Sequence, residues 1–156
     1  MLEKFLQAIR DFFEQNGLPY NEEDGVFYSE VRLIKTQDTA LLCIVTNGFN
    51  INVSAAVQRQ LPEDSLMELI RAANLTNSLI SPGAMFIDLL KQYVSFRSGT
   101  FYTDEPIKST DVALHVAYTL EMIEQIALGI SHLGEEGWDA AKIVQTIMEL
   151  PEDEEA

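Results

Sequence analysis

The chain has 156 residues, enough for one domain that buries a core without disulfides or metals. Ten basic against 25 acidic residues give a formal charge of −15, which repels nucleic-acid phosphates and anionic membranes and favours basic partners or basic segments of partners. Cys43 is the sole cysteine, so no internal disulfide forms, as suits a reducing compartment.

Leu2, Phe5, Leu6, Ile9, Phe12 and Phe13 recur at helical spacing and predict a first helix, closed by Gly17 and Pro19. Its acidic, amphipathic start does not read as a signal peptide, and no apolar run approaches the ~20 residues that span a bilayer. These features make the cytoplasm the expected location.

Asn21 to Gly25 reads as a polar turn. Three strands are expected next, Val26–Lys35, Ala40–Thr46 and Phe49–Val57. The middle one is apolar throughout Leu41-Leu42-Cys43-Ile44-Val45, which predicts a strand covered on both faces or a central strand. The third alternates, with Phe49, Ile51 and Val53 on one side. Asn47-Gly48 between them predicts a hairpin with a type I′ turn.

Pro62 begins a helix whose apolar stripe is Leu66, Leu69, Ile70 and Ala73. Ser81-Pro82-Gly83 breaks the chain before a hairpin of Ala84–Leu89 and Tyr93–Ser98, and a loop is expected over 99–108. Ser109 is read as the N-cap of the longest helix, reaching about Leu133 on Val112, Val116, Leu120, Ile123, Ala127 and Ile130. Gly134 ends it, a short helix Trp138–Met148 follows, and the acidic residues 150–156 are expected to form a disordered tail. The expected fold is α+β, with residues 1–149 as one domain. One antiparallel or mixed sheet should carry the helices on one face, in the order α-β-β-β-α-β-β-α plus a short C-terminal helix.

No catalytic constellation emerges. His115 and His132, read as 17 residues apart on one helix, point to different sides and share no metal. Cys43 in an aliphatic strand reads as inert packing. Phosphate-binding glycine motifs and a G-x-S-x-G elbow are missing. Tyr93 and Phe96 beside Arg97 resemble a base-stacking platform, but at −15 they read better as ordinary strand surface. No catalytic residue, metal or cofactor is therefore expected, and the chain reads as a protein-binding module. Its candidate contact residues are the aromatics Tyr28, Tyr93, Phe101 and Tyr102.

Three stretches carry a family resemblance: Leu69-Ile70-Arg71-Ala72-Ala73-Asn74-Leu75-Thr76-Asn77, then Gly83-Ala84-Met85-Phe86-Ile87-Asp88, then Val94-Ser95-Phe96-Arg97. A Ser109-Thr110-Asp111 cap and a long helix with Glu121 and Glu124 follow. Over Leu18 to Leu133 the chain resembles the YbjN family of bacterial sensory-transduction regulators. That family shares its fold with the dimeric type III secretion chaperones. The resemblance implies a non-enzymatic regulator or adaptor acting by protein contact as a homodimer, with Asn74 and Asn77 bonding the turn before the fourth strand. A dedicated secretion chaperone holding an extended effector segment is the alternative within this fold. A small-ligand sensor or an enzyme of unrecognised type is the alternative outside it.

Overall fold

Among the described residues six strands form one sheet in the order β1-β2-β3-β4-β6-β5, every neighbouring pair antiparallel, and four α-helices lie against it. The computed structural model describes residues 1–102 and 105–149; the acidic segment 150–156 lies outside them. The elements are α1 (Leu2–Gln15), β1 (Asn21–Glu23), β2 (Val26–Arg32), β3 (Thr39–Thr46) and β4 (Asn50–Val57). There follow α2 (Leu66–Leu79), β5 (Ala84–Asp88), β6 (Tyr93–Phe101), α3 (Ser109–Ile130) and α4 (Ala140–Met148). The α+β class and element order match the sequence expectation, with one strand added.

That strand is β1, expected as a turn. Glu23 pairs with Val26, so only Asp24 and Gly25 connect β1 to β2, and both take positive φ (51° and 77°). This is the two-residue hairpin geometry expected instead at Asn47-Gly48. There Gly48 alone has positive φ, and Thr46 pairs with Ile51, leaving a four-residue loop. The Asn47 side chain accepts from the N–H groups of Phe49 and Asn50, and the Thr46 hydroxyl accepts from that of Gly48. A Cβ on Gly48 would come within 3.0 Å of the Leu2 Cα, so α1 begins directly against this loop.

Other boundaries shift for local reasons. β2 stops at Arg32, where Leu33–Gln37 turns back under the Glu124 carboxylate, which accepts from the Ile34 and Lys35 N–H groups. β6 runs three residues past Ser98 because Gly99, Thr100 and Phe101 pair with Asn52, Ile51 and Asn50. Lys108, not Ser109, caps α3: its N–H donates to Asp111 Oδ2, while the Ser109 hydroxyl bonds Gln15. α3 ends at Ile130, so His132 is not on its helix, contrary to expectation; its ring stacks on Trp138 at 4.0 Å. The Asp139 side chain accepts from Lys142 N and starts α4 there rather than at Trp138.

Alternation along the strands puts every fully buried strand residue on one face. Phe27, Leu42, Ile44, Ile51, Val53, Ala55, Met85, Val94 and Phe96 point under the helices. β3 is central, yet it is covered on one face only, so Leu41 and Cys43 are half-buried and Val45 is exposed.

The buried face carries two cores. One joins α1 and the first half of α3 (Val112, Val116) to β2, β3 and β4. The other joins α2, α4 and the second half of α3 (Ile123, Ile126, Ile130) to β4, β5 and β6. Leu120 touches both. Nearby, the buried Ser98 and Thr119 hydroxyls bond at 3.1 Å.

Candidate interaction face of the sheet

The sheet face opposite the helices is the main uncovered surface that the fold presents among the described residues. Its register follows from the pairing. Tyr28, Cys43, Ser54, Arg97 and Ala84 form one cross-strand row, and Glu30, Leu41, Ala56, Ser95 and Phe86 form the next. The outward positions of β2–β6 carry two acids, Glu30 and Asp88, and two bases, Arg32 and Arg97, so this part of the face is formally neutral in a chain of −15, and Glu23 of β1 adds one acid at its edge. Leu41, Val45, Ala56, Phe86 and Tyr93 give it a partly exposed apolar character. Most of the acids belong to other parts of the chain: the helices, the loops and the segment 150–156.

The four aromatics singled out in the sequence do not converge. Tyr28 and Tyr93 lie on this face but on β2 and β6, with β3 and β4 between them. Phe101 points the same way from the far end of β6 and is 76% exposed. Tyr102 belongs to the other side. Its ring meets Phe5 edge-on, and its hydroxyl lies 2.8 Å from His115 Nε2, pegging α1 to α3. Burial pushes the Tyr102 phenol up and the His115 imidazole down, with Asp111 opposing the latter. Tyr93 and Phe96 cannot share a stacking platform, because Phe96 is fully buried on the helix side.

Sequence reasoning missed a shallow depression of about 570 Å³ where β3, β4, β5 and β6 meet. Gly83 and Gly99 lie along it: a Cβ on Gly99 would strike the Asn52 amide, and one on Gly83 the Arg97 carbonyl and the Phe96 ring. The Arg97 guanidinium stands 5.0 Å over the Phe86 ring, and Asn52 and Ser54 face it from β4. Burial raises the Cys43 thiol, with Ser54 and Arg97 opposing, so it is a poor nucleophile. Strand parity was the signal: Phe86 and Arg97 fall on the same face once the β5–β6 register is known.

At the sheet edge, Asn77 of α2 donates to the Met85 carbonyl and accepts from the Met85 N–H at 2.9 and 2.7 Å. It therefore covers part of the free side of β5, close to the role the resemblance implies. Among the described residues no group of three His, Cys, Asp or Glu is placed to hold a metal, and no helix is long and apolar enough to cross a membrane.

No family model matches the chain, and no curated protein matches it. A solved structure does: the crystal structure of "YbjN, a putative transcription regulator from E. coli" superposes with a TM-score of 0.58 at 12% identity, covering 90% of this chain and 89% of that one. At that identity the likeness is one of architecture, and the chain has a YbjN-like fold.

Proposed function

We propose that this protein is a non-enzymatic regulator or adaptor that binds a partner protein through the open face of its sheet. The observation that carries this reading is the contrast between the two sheet faces. One is sealed by four helices, whereas the other is uncovered among the described residues, nearly neutral and partly apolar in a strongly acidic chain. Charge depletion around apolar side chains is the compositional mark of interface centres. The acidic periphery would steer a partner with a basic segment toward this face. The regulatory role named for YbjN fits such a reading, and the charge favours protein over nucleic acid as the target.

The test is co-purification from the native host at low salt with wild type, with Leu41→Glu/Phe86→Glu on the open face, and with Leu114→Glu on the exposed side of α3. A stoichiometric partner kept by the α3 variant and lost by the sheet variant supports the reading. Equal retention by both places the contact elsewhere.

A homodimer sealed through the same face is the second reading, favoured by its neutrality, which lets two copies meet without opposing local charge. Sedimentation velocity decides it: a dimer that Leu41→Glu/Phe86→Glu dissociates gives the face to a second copy, and a monomer at all concentrations refutes it.

A further inference from the structure

We infer that the depression on the open face is a binding site for a small monocarboxylate with an apolar body, its carboxylate held by Arg97. This goes beyond protein binding and does not depend on it.

With 25 acids to 10 bases, arginines readily find carboxylates: Arg10 pairs with Glu3 and Glu22, Arg59 with Asp38, Arg71 with Glu68. Arg32 and Arg97 have no carboxylate partner among the described residues, and of these two it is Arg97, in the middle of β6 beside the edge strand β5, that lines the depression. Register explains why. Glu30 is three strands away, and Asp88 is four residues along β5 from Ala84, the residue paired with Arg97. The guanidinium is instead placed over the Phe86 ring, a contact that orders it while leaving its N–H edge available for two parallel bonds to a carboxylate.

The surroundings set the ligand class. The missing Cβ at Gly99 lets the Asn52 carboxamide pack across the strand beside Arg97, and Asn52 and Ser54 give the depression its polar wall. Val45, Ala84 and Phe86 supply apolar wall for a hydrocarbon body. A single cation in a field of −15 accepts one negative charge and disfavours phosphates and di- or tricarboxylates.

The experiment is an NMR titration of the full chain with octanoate, with 1-octanol and octylamine as controls, following the Gly83, Gly99 and Asn52 amides and the Arg97 side-chain N–H. Saturable shifts with octanoate alone are expected. Arg97→Met, which keeps the length of the side chain, should weaken binding about tenfold or more, as loss of a charge-assisted pair does. Arg32→Met, outside the depression on the same face, should leave it unchanged. Gly99→Val, whose side chain would displace the Asn52 carboxamide from the polar wall, should weaken binding, with the amide spectrum confirming that each variant is folded. Octanol or octylamine binding as well as octanoate, Arg97→Met binding within about twofold of wild type, or no saturable shift up to about 10 mM octanoate would each overturn the assignment.

Discussion

Leu41 and Leu42 are adjacent on β3 and chemically identical, yet truncating them should have very different consequences. Leu42 is fully buried, in the core that α1 forms with Phe27 and Ile44. Leu42→Ala removes three carbons from a packed site and leaves a cavity, a change that costs about 3 kcal/mol within the usual range of about 2–5. For a chain of this length that corresponds to a fall in Tm of roughly 6–12 °C. Leu41 points to the open face, half-buried between Glu30 and Ala56, and no helix closes over it. Leu41→Ala should cost about 1 kcal/mol or less. Urea unfolding followed by far-ultraviolet circular dichroism measures both. Equal losses would mean that β3 is covered on both faces, and the open-face reading would fail with it. Leu42→Asp goes further: an unpaired charge at this position should leave no cooperative folded state.

Asn77→Ala unseals Met85 on β5. A loss of about 1–3 kcal/mol is expected, with light scattering reporting new self-association through the exposed edge; unchanged melting and scattering would remove Asn77 from that role. Two acid-sensitive contributions should be separable by pH. Arg10 holds the Glu22 carboxyl below the usual carboxylate range, so its modest contribution is present at neutral pH and lost as pH falls through that lowered value. Arg10→Met should flatten stability there. Burial lowers the His115 imidazole, so the unfolded chain takes up that proton first and stability declines on acidification from neutral pH. His115→Gln should remove that decline, and urea midpoints measured between neutrality and acid test both.

Much of the architecture was legible because apolar periodicity reports burial directly. The α1 stripe, the alternation in β4 and the long repeat of α3 each arise from packing on one face. Where a signal depended on tertiary context, reading failed. β1 has no apolar residue, and only the Asp24-Gly25 turn marked it. Asn47-Gly48 carried the stronger local hairpin signal, but the four-residue loop bonded by the Asn47 and Thr46 side chains took its place. The apolar run of β3 could not reveal that no element among the described residues covers its second face. The candidate aromatics were chosen by residue type; the depression at Arg97 depends on cross-strand register, which no local window contains.

The division of the buried side into two cores bears on how the molecule opens. α1 closes one core and α2 with α4 the other, and among the described residues α3 is the only helix with buried residues in both. Such a molecule is expected to exchange its amides as two cooperative units of different protection, with α3 as the yoke between them. The α1 unit can loosen while β5, β6 and α2 remain closed, and the Ser98–Thr119 contact lies near the seam. Breaking that contact should change how strongly the two openings are coupled more than the stability of either half.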